Sequence, residues 1–166
     1  MVVGNDDVAA ADSPRPILII ERIFDAPRDL VFRCWAEPEH FTRWIGPQGF
    51  TSTILAWELC PGGKYLIHKR GPDGQDHWQQ GVFQEIVAPE RIVRTYCWAD
   101  ANGQPVRPET LLTLTFEDLS GQTKLILHQS IFESVSARDA HRGGWTSSLD
   151  RLAEYLALDS TRRAER

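Results

Sequence analysis

The sequence predicts an α+β domain in which a curved antiparallel sheet wraps around one long C-terminal helix. Three observations predict it. Through residues 51–132 the hydrophobic period is two, and turn residues recur at hairpin spacing. The period then becomes helical, with Trp145, Leu149, Leu152 and Leu156 at i, i+4, i+7 and i+11. One apolar strand and two short helical segments come first, so the only surface large enough to cover the long helix's stripe is the inner face of the sheet.

Residues 17–24 are a nearly continuous apolar and β-branched run, read as a first strand buried on much of both faces. Asp25-Ala26-Pro27 ends it. Asp25 is placed to cap a helix whose first turn holds Pro27, where the missing N–H is harmless, and Leu30, Val31, Cys34 and Trp35 follow at helical spacing. Glu37-Pro38 closes that helix and opens a second, with Phe41, Trp44 and Ile45 on one side and Gly46-Pro47 as the stop. Six antiparallel strands are expected at about 51–59, 64–70, 77–87, 91–99, 110–118 and 123–132. Pro61-Gly62-Gly63, Pro72-Asp73-Gly74, Pro89-Glu90 and Ser120-Gly121 punctuate them, and residues 100–108 form an enlarged hairpin loop. Leu112, Leu114 and Phe116 alternate with Thr113 and Thr115, while Leu125 and Leu127 alternate with Lys124, Ile126 and His128. These two strands are therefore half-buried. Ser136 and Asp139 stand at capping spacing in the last helix. Gly143-Gly144 inside it costs about 1 kcal/mol per glycine relative to alanine, so a strand or a ligand is expected to approach the backbone there.

With 166 residues, 42% apolar and 25% charged, the chain is sized for one domain, expected at 17–158 between tails at 1–16 and 159–166. Folding at this length hides roughly 68–70% of the open chain's surface, so the core needs no metal or disulfide. Eighteen basic against 23 acidic side chains, a net charge of −5, exclude a nucleic-acid partner, whose phosphates demand clustered Lys and Arg. Cys34, Cys60 and Cys97 are odd in number and lack C-x-x-C spacing, and read as reduced, buried thiols. Asp6, Asp7 and Asp12 stand where a secretory leader would be basic and then apolar, and no run approaches the eighteen or so apolar residues of a membrane span. A cytoplasmic location is the expectation. Exposed sheet edges leave a homodimer open.

Catalytic and metal signatures are not found. No two of His40, His68, His77, His128 and His141 have ligand spacing, no serine lies in G-x-S-x-G, and the glycine-rich segments join strands instead of opening helices. No cofactor and no metal is expected. Glu58 and Glu85 are the carboxylates that a dry cavity would turn into general bases, although Glu85 also stands across the Pro89-Glu90 turn from Arg91.

What remains is aromatic bulk. The chain has six Trp, seven Phe and three Tyr, and most fall on inward rows. Tyr65 and Ile67 share one strand face, Tyr96 and Trp98 another, and Phe83 lies between them; Leu112 and Leu114 extend the surface. With Trp35 and Trp44 from the short helices and Trp145 and Leu149 from the long one, they can line a cavity for an apolar or aromatic ligand, or simply fill the core. Arg94 falls in the row of Ile92, Tyr96 and Trp98. A buried guanidinium needs a partner, which Glu85 or the anionic group of a hydrophobic ligand would supply; the alternative is a place at the sheet edge with its head in water.

One ordered set of phrases carries a resemblance: Trp44-Ile45-Gly46-Pro47, Pro61-Gly62-Gly63-Lys64-Tyr65, Gly71-Pro72-Asp73-Gly74, Gly81-Val82-Phe83-Gln84-Glu85-Ile86 leading to Pro89-Glu90-Arg91-Ile92-Val93, Leu112-Thr113-Leu114-Thr115-Phe116-Glu117-Asp118, and Gly144-Trp145. Across residues 17–158 the chain resembles the SRPBCC (START-like) superfamily, and within it the branch named for the activator of heat-shock protein 90 ATPase. It departs from that pattern at Glu58 and Cys60, before the paired glycines, and at Gln129, late in the last strand. The resemblance implies a helix-grip fold with an internal cavity. The scaffold hosts lipid carriers, aromatase/cyclase-like enzymes and chaperone regulators, so it does not choose a function. The expectation carried forward is binding of a hydrophobic small molecule without chemistry. The alternatives are a polyketide cyclase-like or hydrolase-like enzyme using the same cavity, and a chaperone-ATPase regulator.

Overall fold

A computed structural model describes residues 15–164, with side chains to Ser160. Strand β1 (Leu18–Phe24) is followed by helices α1 (Arg28–Ala36) and α2 (Pro38–Phe41). Six strands come next: β2 (Thr51–Trp57), β3 (Lys64–Arg70), β4 (Asp76–Val87), β5 (Arg91–Ala99), β6 (Thr110–Asp118) and β7 (Thr123–Ser130). Helix α3 (Val135–Ala164) ends the chain. All seven strands form one antiparallel sheet in the order β1-β7-β6-β5-β4-β3-β2. This is the helix-grip layout, with each expected strand in place to within the usual boundary slack. Helix α3 continues past 158 to Ala164. Residues 1–14 of the expected first tail lie outside the described residues.

The core lies between the sheet's concave face and the helices. Trp145, Leu149, Leu152 and Leu156 of α3 are all buried in it, each leucine contributing roughly 1.5–3 kcal/mol by burial. Opposite them, Leu112, Leu114 and Phe116 of β6 and Leu125 and Leu127 of β7 are buried, while the residues between them are half-exposed. Helices α1 and α2 close one end through rings in contact: Phe32 meets Phe116 at 5.3 Å, and Trp35 meets Trp44 at 4.7 Å and Trp145 at 5.6 Å. The Trp44 indole donates to Cys34 O at 3.0 Å, fixing the two helices together.

Several local expectations are corrected. Strand β1, at the sheet's edge and paired to β7 alone, alternates: Ile19, Glu21 and Ile23 point to the open outer face and are exposed, while only Leu18 and Phe24 are fully buried. Its apolar run reflects β propensity, not burial on both faces. Pro27 itself is the N-cap of α1, with no side-chain cap, so Asp25 does not play that part. The cap of α3 is Ser134, whose Oγ accepts from Ala137 N at 3.0 Å, two residues earlier than Ser136; Ile131, held at a φ of 69°, turns the chain early. Of the cysteines, Cys34 and Cys97 are buried but Cys60 is exposed.

Two glycine sites differ sharply in what surrounds them. At Gly81 in β4 the Tyr65 ring crosses the backbone, and the Tyr65 hydroxyl donates to Thr95 O of β5 at 2.5 Å. A Cβ at Gly81 would stand 2.0 Å from Thr95 O and 2.7 Å from the Tyr65 ring. At Gly143 and Gly144, by contrast, nothing beyond the helix's own backbone lies within 4 Å of the position a Cβ would take. No strand makes the close approach expected there. Among the described residues no helix is long and apolar enough to cross a membrane.

Gly81→Ala is expected to lower the unfolding free energy by roughly 1–3 kcal/mol through overpacking against fixed backbone. Gly143→Ala, with open space and better helix propensity, is expected to raise it by about 1 kcal/mol. Urea titrations of both variants beside the parent protein check the pair.

Candidate functional site

The concave face is filled at one end and open at the other, and α3 explains the difference. From Trp145 onward its inward row carries large side chains. Alongside it runs a second row, Ala140, Gly144, Ser148, spaced four residues apart on one helix face, which presents little bulk. A cleft of about 280 Å³ results. Its walls are that small-residue row, Tyr96 and Trp98 of β5, Lys69 at the end of β3, His77 at the start of β4, and the 45–50 loop with Phe50. The loop is pinned across the cleft mouth by α3. Arg151 Nη1 donates to the carbonyls of Ile45 at 3.1 Å and Gly46 at 2.9 Å, and Gln48 N donates to Ser147 Oγ at 3.0 Å.

A second cleft of about 310 Å³ lies beyond Tyr96, Trp98 and His141, which line both. The partition is a hydrogen-bonded pair. The Trp98 indole donates to His141 Nε2 at 3.3 Å, and His141 Nδ1 stands 2.9 Å from Ala137 O. Those two partners assign His141 as the neutral imidazole with its proton on Nδ1. Burial accordingly pushes the His141 pKa down, with the Ala137 carbonyl acting the other way.

Charge on the interior is one-sided. Arg94 is fully buried, and none of its Nε, Nη1 and Nη2 atoms has a hydrogen-bond acceptor among the described residues. Its guanidinium lies between two rings instead, 4.7 Å from the Tyr65 centroid and 5.2 Å from that of Phe41. Burial lowers the Arg94 pKa and raises that of Tyr65 to about 12, the neighbouring cation partly countering the latter. Lys69 is 4% exposed, with Nζ 5.4 Å from the Trp98 ring. Burial first, then the Arg94 and Arg151 charges, bring its pKa down from 10.5 to about 7. No acidic side chain lines this cleft. Gln79, fully buried on β4, likewise has neither amide atom hydrogen-bonded.

Of the residues expected to line a cavity, Tyr96, Trp98 and Trp145 do so. Tyr65, Ile67, Phe83, Leu112, Leu114, Leu149, Trp35 and Trp44 are buried core residues that line neither of these two clefts. Arg94 is inward, as alternation requires, but lies behind the cleft wall instead of in it. Glu85 does not line the cleft: it is exposed and pairs with Arg91 at 3.3 Å across the Pro89-Glu90 turn, the partner its sequence position offers. The reason is a β-bulge between Phe83 and Glu85, whose extra residue reverses the alternation beyond it. Glu58 is also exposed, so neither candidate base faces the interior. Lys69, Gln79, His77 and His141 were not anticipated. The row Tyr65, Ile67, Lys69 carried the signal for Lys69 in the same form that marked Arg94; the others depend on how α3 sits. Among the described residues no group of three or more His, Cys, Asp or Glu side chains converges as metal ligands.

The family model described as Activator of Hsp90 ATPase homolog 1-like protein matches residues 25–157. Solved structures with this fold include a Chromobacterium violaceum protein, 28% identical with a TM-score of 0.75, covering 84% of this chain and 96% of its own. An Arthrobacter aurescens protein is 28% identical with a TM-score of 0.78, covering 85% and 86%. The AHSA1 protein of Silicibacter pomeroyi is 25% identical with a TM-score of 0.78, covering 87% and 99%. Comparison with curated proteins finds no match.

Two outcomes test the electrostatics. Arg94→Met exchanges an unpaired buried cation for an apolar side chain of similar length, and the relief of desolvation outweighs two ring contacts. The unfolding free energy is expected to rise by about 1–2 kcal/mol; a fall would show that the guanidinium is structurally required. Lys69 binds its proton more weakly folded than unfolded, so between about pH 7 and 10.5 the unfolded chain holds the extra proton and stability grows as pH rises. The slope reaches at most about 1.4 kcal/mol per pH unit. Unfolding free energies at about pH 7 and 9 should show this rise in the parent and not in Lys69→Met.

Proposed function

The chain belongs to the Activator of Hsp90 ATPase homolog 1-like family, and from that premise we propose that it binds an apolar or aromatic small molecule in the cleft between α3 and the sheet, with no chemistry of its own. Membership of this fold family supports a ligand-binding domain in general; the cleft is what makes the reading specific. The observation that carries it is the row Ala140, Gly144, Ser148 facing Tyr96 and Trp98 of β5, with Trp145 beside the row on the helix. A helix that elsewhere packs leucines into the sheet gives up bulk where an aromatic wall stands opposite. Because glycine costs about 1 kcal/mol in a helix interior and nothing presses on Gly144, stability alone does not account for it.

The size of the cleft limits the occupant. Ligand pockets for drug-sized molecules begin near 300 Å³, so about 280 Å³ suits one or two fused rings, with more length only if the Trp98–His141 partition opens. An enzyme using the same space loses its main candidates for a general base, since Glu58 and Glu85 both face solvent.

Gly144→Leu projects a side chain into the cleft while improving helix propensity. Binding of the uncharged fluorophore N-phenyl-1-naphthylamine, followed by emission and by quenching of tryptophan, is expected to weaken by roughly tenfold or more, with stability unchanged or raised. Equal affinity in parent and variant would place the probe elsewhere and remove this reading.

A further inference from the structure

The interior carries more positive charge than the chain neutralises. Arg94 and Arg151 lie near enough for their charges to add to burial in disfavouring the Lys69 ammonium, and no carboxylate lines the cleft beside it. Arg151 is committed, its Nη1 held by the loop carbonyls at 2.9–3.3 Å. Arg94 is shut behind the Tyr65 and Phe41 rings. Lys69 alone of the three is both buried and part of the cleft wall, and among the described residues its ammonium meets the face of Trp98. A lysine at the end of an inward strand row, nine-tenths buried beside aromatic walls, is a costly placement unless something of opposite charge meets it.

We infer that Lys69 anchors the anionic head group of the ligand, so that the molecule taken up in this cleft is an aromatic or otherwise apolar carboxylate or comparable oxyanion. The inference rests on the cleft-binding reading above and adds the chemical class to it. The ring system lies between Trp98, Tyr96 and Trp145, and the head group turns toward the β3 end of the cleft, where Lys69 donates to it. Arg94 acts through its field from behind the wall and makes no direct contact, and is a positioning charge in this arrangement. An oxyanion beside Lys69 favours its protonated form, so binding draws a proton from solvent wherever the empty protein has lost it.

The other titratable or charged groups packed around Lys69 are His77, its register partner on β4, Arg94 and Tyr96 on β5, and His141 and Arg151 on α3. The 45–50 loop contributes none. Tyr96 stays neutral because burial raises its pKa, and the arginines stay charged against the lowering that burial causes. His141, lowered by burial, changes charge only on the acid side. From neutral pH upward, Lys69 is therefore the group whose loss of charge the ligand would sense.

The test is calorimetric titration with 2-naphthoate and its uncharged isostere 2-naphthamide, using the full chain and the variants Lys69→Met and Lys69→Arg, each checked for cooperative melting. The parent is expected to favour naphthoate by roughly tenfold or more near neutral pH, the scale of a charge-assisted hydrogen bond in a dry site. That preference should shrink as pH rises toward about 9, with proton uptake seen as a dependence of the heat on buffer ionisation enthalpy. Lys69→Met should abolish the preference, and Lys69→Arg should keep the preference and lose its pH dependence, because a guanidinium remains charged. Naphthamide binding as well as naphthoate, or a preference that survives Lys69→Met, overturns the anion assignment and leaves the cleft reading standing. If neither compound binds, both fall.

Discussion

Everything in this molecule depends on how one helix is seated in the concavity of one sheet, and Trp145 sets the seat. Its ring lies 5.6 Å from that of Trp35 and 6.0 Å from that of Tyr96, so it touches both the short helices and the middle of the sheet. Its indole N–H donates to Gln129 Oε1 at 2.8 Å, Gln129 Nε2 donates to Thr110 Oγ1 at 2.8 Å, and Thr110 donates on to the Tyr96 carbonyl. A buried polar chain satisfied at every link fixes both the rotation and the depth of the helix, because moving it would strand a donor or acceptor in an apolar interior. The residue at position 129, where the chain departs from the pattern it otherwise resembles, is thus part of the framework.

From that seat the two halves of α3 diverge. Toward the C-terminus Leu149, Leu152 and Leu156 interlock with the sheet; toward the N-terminus Gly144 and Ala140 leave room. The cleft is therefore placed by a change of side-chain volume along one helix, and its outer rim by Arg151 and Ser147 holding the 45–50 loop. Aromatic rings and unneutralised cations meet at this one end: Trp98 under Lys69, Tyr65 and Phe41 around Arg94. Ring faces are what the described residues offer Lys69 and Arg94, and they are weaker than a carboxylate. The fold is that of the Hsp90 ATPase activator-like family, and its shared layout does not dictate this charge arrangement, which belongs to the side chains of this sequence.

Which parts were legible in advance follows from the range of the interaction that decides them. Period-two alternation and glycine-proline turns placed all six later strands, since strand geometry is a local property of the backbone. The inward position of Arg94 was legible for the same reason. Glu85 was misplaced because a bulge inserts one residue into β4 relative to β5, a two-strand property that no single strand's pattern records. Strand β1 was misjudged because Ile19 and Ile23 look alike whether or not a second layer covers their face, and only the packing of the whole domain decides that.

By itself the sequence determined the element order, the antiparallel sheet, the helix stripe that must face it, and the presence of a cation among inward aromatic residues. Each is set by periodicity, turn chemistry or burial rules that act over a few residues. Tertiary structure decided that the concavity is filled beneath Trp35 and Trp44 and open beside Gly144, that Lys69 and not Arg94 reaches the open space, and that His141 bridges to Trp98. Those facts depend on the depth and rotation at which α3 docks, a sum of many contacts between residues far apart in the chain, and no local pattern encodes such a sum.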